Sequence, residues 1–207
     1  MRFTFYTNFN TMAARQGMEA AAEYAAGHGF SAVEMLESAG EGYPRLIPDR
    51  ETARKTKQIL RQRGLEMACW SVGTSVYNAP EAVKSLMRQA EIASELECPY
   101  LHHTLLLWLA PFEGMPTFEE GIDCAVEAAA QVARYAQPLG VKCIYEDQGL
   151  YANGVKASAL STAGSSRSQI TWASAETWET PCSWTKAQSI SLKHLRKISA
   201  MFISRIT

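Results

Sequence analysis

Glu146 and Asp147 stand at the end of a short apolar run, Val141-Lys142-Cys143-Ile144-Tyr145, and are followed at once by Gln148 and Gly149. In a parallel sheet covered on both faces, strands read as near-continuous apolar runs, and functional polar groups collect where the chain leaves the sheet. Glu146 therefore has the type and position of a metal ligand or a proton-transfer group. A carboxylate at a loop entrance also caps turns and pairs with cations, so position alone leaves both roles open. Earlier apolar runs end in a comparable way, at Tyr6, Glu34, Trp70 and His103. Each has an ordinary alternative: Trp70 as a core or rim aromatic, Glu34 as a solvated carboxylate. His102 and His103 are adjacent on a strand and point to opposite faces, so at most one of them faces a site.

These residues need a scaffold that brings strand ends together. Strand-like runs begin near residues 2, 31, 65, 100 and 141. The first covers Arg2 to Phe9, and the third Leu65 to Val72. Between them lie helical patterns: a stripe of Ala21, Ala22, Ala25 and Ala26 in a helix from about Met18, then Ala53, Thr56 and Leu60 opposite Arg54, Lys55, Lys57 and Arg61. Asn78 with Glu81, and Thr117 with Glu120, have the spacing of capping boxes before two further helices. Gly64 falls where a left-handed C-cap favours glycine. The resulting strand-helix unit of roughly 30 to 40 residues predicts a parallel sheet with helical cover. No GxGxxG or GxxxxGK is present, and that favours a barrel over a nucleotide-binding open sheet. In a barrel, Tyr6, Glu34, Trp70, His103 and Glu146 would share one mouth.

The chain has 207 residues, a formal charge of −1 and no long block of one sign. That balance argues against nucleic acid and membrane surfaces as partners and leaves a small molecule. Five cysteines without a CxxC pair read as reduced thiols. With no apolar stretch approaching the roughly 18 residues of a membrane span, a soluble, cytoplasmic, unexported protein is expected.

Gly29-Phe30-Ser31-Ala32-Val33-Glu34, Trp70-Ser71, Pro99-Tyr100-Leu101-His102-His103 and Tyr145-Glu146-Asp147-Gln148-Gly149, in this order and spacing, resemble the sugar phosphate isomerase/epimerase family. These are xylose isomerase-like TIM barrels, related in fold to endonuclease IV. The resemblance covers about residues 1–155. It implies an α/β fold of the TIM (β/α)8-barrel type, with about five βα units present. It also implies isomerisation or epimerisation of a sugar or sugar phosphate with a divalent metal (Mn, Mg, Co or Zn). Family members hold the metal through a Glu after strand five, an Asp after strand six, a His after strand seven and a Glu after strand eight. Glu146 matches the first, which implies metal ligation and proton transfer there, with Glu34, Trp70 and His103 binding substrate. A related metal-dependent hydrolase of the endonuclease IV kind would want a basic mouth and more histidines than this chain offers.

From Lys156 to Thr207 the character changes: serine and threonine crowd in and three of the five tryptophans appear, Trp172, Trp178 and Trp184. No strand-helix unit can be drawn there, and no further metal ligand is recognisable. Residues 156–207 therefore read as an aberrant tail on a 1–155 barrel portion. The genetic code offers a cause. Read one base earlier, codons for Thr171 to Thr180 permit NVGVCGDMGN, and those for Ala200 to Ile206 permit HVHIKD. Trp172-Ala173 and Trp178-Glu179 each force a glycine in that frame, and Met201-Phe202 forces the valine. GDxGN and HVHIKD resemble the family's next two metal-ligand segments, so a frame change near Val155-Lys156 is expected. As written, the chain is then expected to be an inactive, non-catalytic product with an open sheet edge prone to self-association into a homo-oligomer.

Overall fold

In a computed structural model of the chain, the residues described are 3–6, 8–38, 45–108 and 110–145. Glu146, the 156–207 tail and the proposed domain boundary lie outside them. Five strands, β1 (Thr4–Phe5), β2 (Ala32–Leu36), β3 (Glu66–Val72), β4 (Tyr100–His103) and β5 (Lys142–Tyr145), form one sheet in the order β1-β2-β3-β4-β5. Every neighbouring pair is parallel. The crossovers carry helices α1 (Asn8–Gln16), α2 (Met18–Gly27), α3 (Arg50–Gln62), α4 (Pro80–Glu95) and α5 (Phe118–Ala136). The expected alternation of strand and helix is the observed one. Its cause is that strands such as Val33, Met35, Met67, Cys69 and Leu101, buried on both faces, cannot be left open to water.

Two local expectations are corrected. The first strand is only Thr4–Phe5, because Asn8 to Gln16 is helical; Phe9, Asn10 and Ala13 bury one face of α1, and Gly17, at φ 94°, turns the chain into α2. Asn78 does not cap α4. It adopts φ 49°, the N-cap is Ala79 without a side-chain bond, and Pro80 opens the helix instead.

Thr117 and Glu120 do form a reciprocal capping box: the Glu120 amide donates to Thr117 Oγ1 at 3.3 Å, and the Thr117 amide donates to Glu120 Oε2 at 2.9 Å. Hydrogen bonds from Thr117 hold the Glu120 carboxyl below its ordinary range. Thr117→Ala leaves the Glu120 amide without its side-chain acceptor and is expected to cost about 1 kcal/mol in a urea titration. A variant as stable as the parent would mean that the α5 terminus contributes nothing to folding.

On the outside, α3 is laced to α4 and its exit. Glu95 accepts from Arg50 and Arg54, and Glu97 from Lys57 and Arg61. Hydrogen bonds from Arg54 and Arg50 hold the Glu95 carboxyl down at about 2. The basic stripe seen in the sequence therefore meets a row of carboxylates on the neighbouring helix. The described cysteines, Cys69, Cys98, Cys124 and Cys143, are free thiols. No helix among the described residues is long and apolar enough to cross a membrane.

Candidate functional site

The register decides which side chains meet. Ser71 pairs with His102 and Val72 with His103 across β3 and β4, while Glu34 pairs with Cys69 across β2 and β3. In a parallel sheet paired residues point the same way, and successive residues along a strand point to opposite faces. Trp70 Nε1 donates to Gln89 Oε1 of α4 at 2.9 Å, and Tyr145 Oη donates to the Ala129 carbonyl of α5 at 3.1 Å, so these residues mark the helix-facing side. Cys69, Ser71, His102 and Glu34 lie on the other face, the one a barrel turns inward.

There they form a chain. Ser71 Oγ donates to Glu34 Oε1 at 2.7 Å and lies 3.1 Å from His102 Nδ1. With its hydrogen given to Glu34, the hydroxyl oxygen is left to accept from His102. That assigns the ring hydrogen to Nδ1 and the lone pair to Nε2. Cys69 Sγ lies 3.8 Å from the same hydroxyl. Glu34 is only 7 % exposed, and Cys69 and Ser71 are buried with it. Burial, reinforced by the Glu34 charge, pushes the Cys69 thiol far up, so it is protonated. One donor atom each of Glu34, Cys69 and His102 falls within 4.8 Å of the other two.

The strand ends are pinned by side chains acting as backbone clamps. Asn10 Nδ2 donates to the Leu36 carbonyl at 2.7 Å, and the Leu36 amide donates to Asn10 Oδ1 at 3.0 Å, two residues beyond Glu34. Thr104 Oγ1 both accepts from the Thr74 amide and donates to the Thr74 carbonyl, each at 2.8 Å, and joins the exits of β3 and β4. Beyond them Tyr77, Trp108 and Phe112 contact edge to face.

Of the residues expected to bind substrate, Glu34 lies on the inward face. Trp70 and His103 do not. Both are fully buried on the helix side, Trp70 against α4 and His103 edge to face with Tyr145 at 4.7 Å. The physical reason is parity: the strands are apolar on both faces, so hydrophobicity does not say which residue of each neighbouring pair turns inward. Ser71 and His102 take the inward places. Their signal was present in the sequence, as polar residues one position from the chosen ones. Glu146 follows Tyr145 directly and lies outside the described residues.

Residues 22–156 match the family described as xylose isomerase-like TIM barrel. The chain belongs to that family. Among solved structures, D-psicose 3-epimerase from Clostridium cellulolyticum H10, crystallised with D-tagatose, is 16% identical with a TM-score of 0.58; 74% of this chain covers 54% of that one. The IolI protein with a bound zinc atom is 13% identical at a TM-score of 0.59, over 80% of this chain and 59% of that one. An AP endonuclease of family 2 from Brucella melitensis is 16% identical at 0.59, over 79% and 65%. The chain thus spans between about half and two thirds of these barrels. No curated protein matches it.

Proposed function

We propose that the barrel this chain represents, with its reading frame restored, catalyses metal-dependent isomerisation or epimerisation of a sugar or sugar phosphate. The observation that carries the reading is the hydrogen-bonded chain Glu34–Ser71–His102 on the inward face of three adjacent strands, in a xylose isomerase-like barrel. A carboxylate, a hydroxyl and an imidazole fixed in one row suit the hydroxyl ladder of an open-chain sugar. Each can donate or accept, and strand geometry sets their spacing. His102, with its lone pair on Nε2, is suited to accept a hydroxyl hydrogen or carry a proton. Ser71 holds its ring, and Glu34 orients Ser71 in turn. Glu146, at the exit of the next strand, is the residue for holding a divalent ion and moving the proton beside the carbonyl. The ion, when bound, polarises that carbonyl and makes the adjacent C–H acidic. The convergent O, N and S donors of Glu34, Cys69 and His102 on the inward face support a cation there.

The decisive experiment compares the chain as written with a product whose reading frame is restored by one base near Val155-Lys156. The restored protein, given Mn²⁺, Mg²⁺, Co²⁺ or Zn²⁺, is expected to exchange solvent deuterium into the carbon next to the carbonyl of a ketose or its phosphate. Glu146→Gln should stop the exchange, and the chain as written should show none. No exchange by the restored protein with any of the four ions would sink the reading. Cleavage of abasic DNA in its place would favour the hydrolase.

A further inference from the structure

We propose that Glu34, Cys69 and His102 form a cation site selective for zinc-like ions. The site shares Glu34 and His102 with the row read above as meeting the sugar, and its test needs no sugar. The three donors come from adjacent strands, with Glu34 directly paired with Cys69 and His102 with Ser71, so the sheet itself sets their spacing. Their donor atoms lie within 4.8 Å of one another. A tetrahedral zinc with ligands at about 2.0–2.3 Å wants its donors about 3.5 Å apart, so a contraction of about 1 Å by rotamer adjustment closes the site.

Donor chemistry sets the preference. A thiolate, an imidazole and a carboxylate suit Zn²⁺ or Co²⁺, whereas Mg²⁺ and Ca²⁺ favour oxygen alone. Cys69, at 2 % exposed, and Glu34, at 7 %, are shielded from water, which strengthens their attraction for a dication. Without a cation, burial and the Glu34 charge keep the thiol protonated. A dication reverses that balance: the Sγ–H bond breaks, the sulfur keeps the electron pair and binds the ion, and the proton leaves to solvent. Ser71, which holds Glu34 and contacts His102, is the outer partner that orients two of the three ligands. Three protein ligands leave a fourth position open, the arrangement of catalytic rather than structural zinc.

The test is a Co²⁺ titration of the full chain, followed by absorption. A thiolate-to-cobalt charge-transfer band in the near ultraviolet is expected, abolished by Zn²⁺ and untouched by Mg²⁺. Cys69→Ser should remove the band and weaken Zn²⁺ binding by about a hundredfold. Cys143→Ala should keep both. Because one proton leaves per ion, affinity should fall about tenfold for each pH unit of acidification. His102→Ala, which leaves the thiol in place, gives a second route: it should weaken Zn²⁺ binding similarly, with circular dichroism confirming the fold of each variant. No band in the parent protein at excess Co²⁺ would overturn the site. So would a band that survives Cys69→Ser.

Discussion

Trp70→Ala is expected to lower stability by about 3–5 kcal/mol, a large share of the roughly 5–15 kcal/mol that holds a domain folded. Trp70 has the largest of the fully buried side chains, in register with Met35 on one side and Leu101 on the other. Its removal opens a cavity that rigid strands cannot close, and it strands the carbonyl of Gln89, which is itself buried. Trp70→Phe keeps most of the volume and loses the hydrogen bond alone, so about 1–3 kcal/mol is expected. Urea titrations followed by far-ultraviolet circular dichroism separate the three proteins. A Trp70→Ala midpoint equal to the parent's would return Trp70 to the rim role its place in the sequence suggested.

The second large effect is with pH. His103 is fully buried; its Nδ1 lies 3.1 Å from the Thr104 carbonyl, to which it donates, and its Nε2 has no partner among the described residues. Burial pushes its pKa down from 6.5 to about 4, with the neighbouring His102 adding to the effect and the Thr104 bond opposing it. The unfolded chain therefore takes up a proton at a pH where the folded chain does not. Stability is complete above the unfolded value of 6.5 and falls as the pH drops from there toward 4. The difference amounts to about 3 kcal/mol. His103→Phe removes the titrating group at similar volume. Its urea midpoint should fall less than the parent's between neutral and mildly acid pH. Parallel curves for the two proteins would show that His103 is not held neutral by burial.

Much of the scaffold was legible in the sequence because each of its signals is local. Apolar runs with helical stripes between them fixed the parallel strand-helix alternation, and the ordered motifs around Glu34, Trp70, His102 and Glu146 pointed to the family whose model matches residues 22–156. The Thr117–Glu120 box and the left-handed Gly64, at φ 69°, also follow from three or four neighbouring residues. Asn78–Glu81 has the same spacing and fails, because Pro80 can start α4 without a donor to satisfy and Asn78 is free to turn left-handed.

The site was only half legible. Glu34 could be named from its position, yet whether Trp70 or Ser71, and whether His103 or His102, faces inward depends on pairing between strands about 30 residues apart. A shift of one residue exchanges the two faces. On this sheet both faces are buried, so the hydrophobic pattern is silent. The choice fell to the register and to the bulge between Val33 and Glu34, which sets Glu34 opposite Cys69. Sequence by itself determined that a parallel strand-helix scaffold would carry polar groups at its strand ends. Tertiary structure alone decided which of them meet, because side chains on three separate strands converge only when the sheet has closed its register.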